Sequence, residues 1–267
     1  MPEVTVVVPT RNRPGPLGRC LEALAGQVGE IVVVDDGSSD PAAVEAALQR
    51  APQARLVRQP PSGPAAARNA GVAAVRGSIV CFTDDDCEPD PGWAAALTAA
   101  LREGADIVAG TTSNGFPGNP YAVASQLVTG YVTERGRRPF AATNNLAATE
   151  QVLRELPFDE TFRSAAGEDR EWCSRAAERG YRIRGSQARI VHYQELTLGS
   201  FLGQQLRYGR GSYRFHASGR ALERPGFYAG LLGRGFRAGL RVGLLVAAAQ
   251  LATGVGYVVE WAARRSE

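Results

Sequence analysis

Asp84, Asp85 and Asp86 stand together at the end of Ser78-Ile79-Val80-Cys81-Phe82-Thr83, a short apolar run of the kind that makes a buried strand. Three adjacent carboxylates repel one another and raise each other's pKa unless something cationic joins them. A divalent ion is the simplest remedy: carboxylate oxygens suit Mn²⁺ or Mg²⁺, and Mg²⁺ usually shares its shell with substrate phosphates. A solvated acidic turn, helped by Pro89, Asp90 and Pro91, is the plainer alternative; the position directly after an apolar strand favours the metal. Glu168-Asp169 begins a stretch with Trp172, Cys173 and Ala176 at helical spacing, where acids in a first turn complement the helix dipole. His192 follows the short strand Arg189-Ile190-Val191 and reads either as a structural imidazole or as a ligand suited to Mn²⁺.

These groups need a scaffold, and the first half of the chain alternates strand and helix patterns. Residues 4–8 read as a strand ended by Pro9, 17–24 as a helix, and 30–34 as a second strand. Asp35-Asp36-Gly37-Ser38-Ser39-Asp40 then makes a turn, with Asp40 as N-cap and Pro41 at the first helical position. A strand at 54–57, helices at 65–75 and 93–101, and a strand at 106–110 continue the alternation. The pattern predicts an α/β fold with a layered, mostly parallel sheet, whose ligands occupy the crevice beyond the carboxyl ends of the strands. A dinucleotide site would need G-x-G-x-x-G there. The loop is instead Pro9-Thr10-Arg11-Asn12-Arg13-Pro14, which offers side chains and two guanidinium forks suited to phosphate.

The 267 residues suffice for one large α/β domain with an appendage, and 44% hydrophobic against 21% charged residues supports a sizeable core. A net charge of +3 implies no nucleic-acid partner. Every basic residue is Arg, and from Arg207 onward acids are scarce until Glu260. Cys20, Cys81, Cys87 and Cys173 form no CxxC pair and, with two histidines, no zinc pattern; buried thiols in a reducing cytoplasm fit. No basic n-region precedes the first strand, so no signal peptide is expected.

Four motifs now occur in order: Val-Val-Pro-Thr-Arg-Asn-Arg (7–13), Val-Val-Asp-Asp-Gly-Ser (33–38), Ala-Ala-Arg-Asn-Ala-Gly (66–71) and Phe-Thr-Asp-Asp-Asp (82–86). Together they resemble glycosyltransferase family 2, the inverting enzymes of the GT-A fold, through about residue 195. The resemblance implies metal-dependent transfer of a sugar from a UDP- or GDP-linked donor to an acceptor hydroxyl, on a lipid-linked or cell-envelope glycan or a small molecule. It implies that Pro9, Thr10 and Arg11 lie along the base and ribose. It also implies that Asp36 reads the base, that Arg68 meets the nucleotide and its phosphates, and that Asp84 lies near the ribose. Asp85 takes the variable place between them on the donor side, and Asp86 holds the metal, with His192 as a further contact. Gly-Glu-Asp-Arg-Glu-Trp (167–172) resembles the family's Glu-Asp motif, which implies Asp169 as catalytic base with Glu168 beside it.

The implied organisation is a GT-A catalytic domain over 1–195, divided into a nucleotide-sugar half (1–110) and an acceptor half (111–195), and a helical tail over 196–267. In the acceptor half, 111–120 reads as a loop, 122–132 as a helix, and Asn144 and Asn145 as sugar contacts or turn residues, after the basic Arg135-Gly136-Arg137-Arg138. The tail begins with an amphipathic helix, 197–213, carrying Arg207, Arg210 and Arg214 as one stripe: a solvated face, or a contact for membrane phosphates or an acceptor pyrophosphate. Gln204-Gln205-Leu206-Arg207-Tyr208 resembles the Gln-x-x-Arg-Trp signature of processive members, with Tyr replacing Trp. Residues 242–259 are nearly all apolar, at the short end for a bilayer span, between Arg234, Arg237 and Arg241 and Arg264 and Arg265. A single tail anchor, an in-plane helix at the inner face of the cell membrane and a packing or homodimer helix are all open, with membrane association favoured. A sugar-1-phosphate nucleotidylyltransferase and a non-catalytic membrane-surface module are the rival readings; the loop after the first strand and the absence of Lys count against the first.

Overall fold

The computed structural model describes residues 3–136, 140–162 and 166–265. An eight-stranded sheet runs through it in the order β3-β2-β1-β4-β7-β6-β8-β5. Its first half is the alternation expected: β1 (Val4–Thr10), α1 (Pro14–Leu24), β2 (Glu30–Asp35), α2 (Pro41–Leu48), β3 (Ala54–Arg58), α3 (Pro64–Ala74) and β4 (Ile79–Phe82). These four strands are parallel neighbours. Asp40 caps α2 by accepting from the Ala43 N–H at 3.0 Å. β1 runs on through Pro9 to Thr10, paired with β2. Its register with β4 ends at Val7, so the missing proline N–H falls where β1 has one paired neighbour.

The second half holds β5 (Cys87–Pro89), α4 (Trp93–Arg102), β6 (Ile107–Asn114), α5 (Pro120–Arg135), β7 (Leu146–Thr149), α6 (Glu150–Glu155), α7 (Glu168–Glu178) and β8 (Ile183–His192). Pairing here is mixed: β7 is antiparallel to β4 and β6, β5 is antiparallel to β8, and β6 is parallel to β8. β6 runs into the expected loop because Thr111–Asn114 pairs with Arg189–His192 beyond a bulge. Part of the basic stretch, Arg137 and Arg138, lies outside the described residues.

Strand residues alternate between two faces, and so does the core. Val6, Val8, Ile31, Val33 and Cys81 pack with Leu17, Leu21, Val44, Trp93 and Leu97 of α1, α2 and α4. Val7, Val32, Val34, Val80 and Phe82 pack with Val72, Val152, Leu153 and Trp172 of α3, α6 and α7. Gly71 is the close point of the second layer: a Cβ there would overlap the Val7 side chain, so only glycine lets α3 settle on β1. All four cysteines are buried free thiols.

The tail is three helices, α8 (Leu198–Ala217), α9 (Pro225–Arg237) and α10 (Leu240–Ala263). With α5 they form a third apolar cluster around Ala124, Phe201, Leu231, Val246 and Ala249. α10 lies against α8, and Gly256 seats on the Leu206 carbonyl where any Cβ would collide. Part of the expected basic stripe of α8 turns to the protein: Arg210 and Arg214 both pair with Glu260 of α10, at 2.8 and 2.7 Å, and Glu260 is buried. Two of its three arginines therefore join helix to helix, Arg214 mostly covered and Arg210 with half of its side chain still exposed.

Candidate active site

Four parallel strands end at one edge, and the chemistry expected from the sequence is distributed along it. Thr10, the last residue of β1, donates its hydroxyl to Asp85 at 2.7 Å. Arg13, one turn further on, forks across the triplet, with Nη1 2.9 Å from Asp85 and Nη2 2.9 Å from Asp86. β5 then pairs with β8 so that Cys87 lies opposite His192, which sets the His192 Nε2 3.2 Å from the Asp86 Oδ1. The Tyr193 N–H donates to the Asp86 carbonyl at 2.8 Å and fixes the same junction.

Arg68 joins this cluster to the second one. It projects from α3 with its side chain buried, donating from Nη2 to Asp84 at 3.1 Å and from Nη1 to Glu168 at 3.0 Å. Glu168, also buried, accepts at its other oxygen from the Ala166 N–H at 2.9 Å. Gly167, in the left-handed region at φ 90°, turns the chain into α7 so that Glu168 and Asp169 open the helix together. Asp84 and Glu168, 84 positions apart in sequence, are thereby held by one guanidinium.

The electrostatics divide the acids. Asp86 is held down to about 2: burial opposes this, but the His192 and Arg13 contacts outweigh it. His192 is raised because the Asp86 hydrogen bond and charge outweigh burial. Burial pushes Asp85 up to about 7 against Arg13, with Asp86 adding to the rise. Burial and the adjacent Glu168 push Asp169 up to about 7 against Arg68. Tyr208 of α8 is raised by burial and by the charge of Asp169, so it remains a neutral donor near the base candidate.

Asp86, Cys87 and His192 place one potential ligand atom each within 4.8 Å of one another. The donor set fits a hard divalent ion through the carboxylate and imidazole. Burial pushes the Cys87 thiol up, so it stays protonated and is no ligand for such an ion. Asp36 is buried at the N-terminus of α3 and accepts from Gln59 Nε2 and the Ser62 N–H, both at 2.7 Å, and from the Gly63 N–H at 2.9 Å. A carboxylate has about four acceptor positions, so Asp36 keeps one.

Two expected residues stand apart and one was overlooked. Arg11 is exposed and makes no contact with the acidic triplet among the described residues, whereas Arg13 holds it. The signal was available: three carboxylates need a counter-charge, and Arg13 starts the next helix. Asn145 is a structural residue, buried and occupied by Trp93 Nε1 at 2.8 Å and by the Thr111 carbonyl at 2.9 Å.

A mixed sheet in this strand order, acids at the strand ends and a second acidic pair joined to them through Arg68 at a helix start define a GT-A glycosyltransferase. The model of the family described as "Glycosyl transferase family 2" matches residues 5–162, and the chain belongs to that family. It is a nucleotide-sugar glycosyltransferase, which removes the nucleotidylyltransferase and non-catalytic readings. Among relatives, glycosyltransferase AglE of Haloferax volcanii is 29% identical over 225 residues, covering 79% of this chain and 73% of that protein. The pre-mycofactocin glycosyltransferase of Mycobacterium tuberculosis is 31% identical over 222 residues; the match covers 78% of this chain but only 46% of that protein. Among solved structures, the mannosyltransferase PcManGT of Pyrobaculum calidifontis, in complex with GDP-Man and Mn²⁺, superposes with a TM-score of 0.64 at 22% identity, covering 94% of this chain and 74% of that one. Glucosyl-3-phosphoglycerate synthase of Mycobacterium tuberculosis, in complex with Mn²⁺, UDP-glucose and phosphoglyceric acid, gives a TM-score of 0.58 at 20% identity, covering 81% and 79%.

Proposed function

We propose that the chain catalyses metal-dependent, inverting transfer of a sugar from a UDP- or GDP-linked donor to an acceptor hydroxyl, with Asp169 as the base. The observation that carries this reading is the Arg68 bridge between Asp84 and Glu168, which gathers the strand-end acids and the helix-start acids at one cleft. Asp86 and His192 would hold Mn²⁺ or Mg²⁺, which when bound supplies Lewis-acid stabilisation of charge on the departing diphosphate. The two solved relatives with bound Mn²⁺ carry GDP-Man in one case and UDP-glucose in the other, so both donor bases stay within the proposal.

The residues divide the work. Thr10 secures Asp85, Arg13 balances Asp85 and Asp86 until a metal displaces it from Asp86, and Pro9 and Arg11 lie in the same loop along the nucleotide. Asp36 offers its remaining acceptor position to a base N–H. Asp169 takes the proton from the acceptor hydroxyl as that oxygen attacks the anomeric carbon. The bond from that carbon to the phosphate oxygen breaks on the opposite side, and its electron pair leaves with the nucleoside diphosphate. A base pushed up to about 7 is ionised in useful amount at neutral pH and strong enough to accept the proton. Glu168, fixed by Arg68 and the Ala166 N–H, positions Asp169 through the helix start. The acceptor enters from the 111–195 side, as a lipid-linked or envelope glycan or a small-molecule hydroxyl.

Replacing Asp169 by Asn tests the assignment. Transfer should fall by about 10³-fold or more, while binding of the UDP- or GDP-sugar, followed calorimetrically with Mn²⁺, stays within a factor of about three. Turnover near the wild-type rate would refute Asp169 as base.

A further inference from the structure

We propose that the outer face of α10 is a membrane-docking surface that lies in the plane of an anionic bilayer. α10 is long and apolar enough to span one, at 24 residues with a mean hydropathy of 1.8 over an 18-residue window. Its inner face, however, is bound along its length. Gly243, Val246, Ala249, Gly256 and Glu260 are buried against neighbouring helices, and Glu260 sits in ion pairs with Arg210 and Arg214. Crossing a bilayer would strip the helix from α8, take Glu260 away from Arg210 and Arg214 and leave that carboxylate with Arg264 of its own helix alone.

The outer face is a separate stripe. Leu240, Leu244, Leu251, Val255 and Val258 are each 54–74% exposed. At 100° per residue all five fall within an arc of about 60°, opposite the buried row. Single exposed leucines are ordinary, but a contiguous row running most of a 24-residue helix marks a surface meant to be covered. Phe236 at the end of α9 and Trp261 extend it.

Charge identifies what covers it. From residue 224 to 265 the chain carries six arginines and one acid, Glu260, which is buried. Arg237 and Arg241 stand at one end of the stripe and Arg265 at the other, with the Arg265 guanidinium 4.4 Å from the Trp261 ring centroid. An apolar strip bracketed by arginines and an interfacial tryptophan fits acyl chains flanked by anionic headgroups. A second copy of the chain fits less well. Two stripes packed antiparallel would bring the Arg241 end of one copy onto the Arg265 end of the other, with no exposed carboxylate from this segment to offset them.

The proposal is independent of which donor or acceptor the cleft takes, and flotation of the full chain with vesicles tests it. The protein should float with phosphatidylcholine–phosphatidylglycerol vesicles, less with phosphatidylcholine alone, and less again at high salt. Trp93 and Trp172 are 1% and 0% exposed, so a blue shift and quenching by brominated lipid would report Trp261. Leu251→Glu, at the most exposed position of the stripe, should lower vesicle partitioning about a hundredfold with the melting temperature unchanged. Should that variant fold poorly, quenching of Trp261 in the wild-type chain still decides. No flotation with anionic vesicles, or a dimer in solution that Leu251→Glu converts to monomer, would overturn the proposal.

Discussion

Replacing Arg68 by Met would unlock the bridge on which the cleft depends. The Arg68 and Glu168 side chains are 4% and 5% exposed, so the substitution leaves a carboxylate buried with only the Ala166 N–H for company. Removing one partner of a buried pair costs about 3–5 kcal/mol, and a chain of this size loses about 2–4 °C of melting temperature per kcal/mol. A fall of roughly 10 °C follows from those two ranges. A second consequence is electrostatic. Arg68 opposes the rise of Asp169, so its loss moves that carboxyl further up from about 7. Because the base must be ionised, the rising limb of the pH–rate profile should shift to higher pH and turnover at pH 6 should fall more than at pH 9. Arg68→Lys keeps the charge but not the fork that reaches two carboxylates, and should lie between the two. Differential scanning calorimetry and a profile of kcat/KM against pH measure both. A melting temperature within 2 °C of wild type, set against that range, together with an unmoved limb, would refute the bridge as the organising contact.

Other consequences follow from the same geometry. In chelator, stability should fall from pH 5 to pH 8. Asp85 and Asp169 are raised to about 7, so their contribution is complete below the unfolded carboxylate range and is lost as pH rises through 7. Raised His192 acts in the same sense near neutrality, and lowered His216 acts against it. Below pH 4 the trend should reverse as Asp86, held near 2, loses its advantage; thermal melts across pH would expose either sign. Arg13→Gln removes the cation that a metal must displace from Asp86, so Mn²⁺ affinity in the absence of nucleotide should rise about tenfold, by calorimetry, whereas a drop would show Arg13 to be support rather than competitor. Gly256→Val drives a side chain into the Leu206 carbonyl and should cost about 1–3 kcal/mol or more, read as a lower melting temperature with α8 and α10 loosened in hydrogen exchange.

The sequence shows the first half of the fold because β1, β2 and β4 are largely apolar runs buried in the sheet and bounded by proline, glycine or aspartate, whereas the edge strand β3, with Arg55 and Arg58 in a half-exposed run, is the weaker pattern. The strand-end acids were legible for the same reason: a charged triplet after Phe82 has one place to be. β5 and β7 were not legible. Cys87–Pro89 is three residues long and exists because β8 pairs with it, and Leu146–Thr149 owes its state to the strands on either side. The extension of β6 was hidden because Thr111–Asn114 alternates polar residues half-exposed at a rim. Arg13 was missed in favour of Arg11 since both are loop arginines two residues apart, and only the turn at Asn12, with φ 58°, decides which guanidinium faces the acids. Glu260 as the partner of Arg210 and Arg214 joins residues about 50 positions apart, beyond any local pattern.

Charge counting across the cleft links the metal to the base. Five carboxylates, Asp84, Asp85, Asp86, Glu168 and Asp169, meet three internal cations, Arg13, Arg68 and His192. Two negative charges are in excess, and two of the five, Asp85 and Asp169, are the ones pushed up to about 7. Burial explains why they cannot both ionise freely, and the excess explains why the surplus proton affinity collects there and not on Asp86. A divalent ion held by Asp86 and a neutral His192 would displace the imidazolium proton and add one net positive charge to the cleft. Its binding at Asp86 and His192 should lower the proton affinity of the remaining acids, so that Asp169 loses its proton more readily in the loaded protein than in the empty one. Under the proposed assignments, ionisation of Asp169 and metal occupancy at Asp86 and His192 are then one linked equilibrium, set by where Arg68 and Arg13 stop.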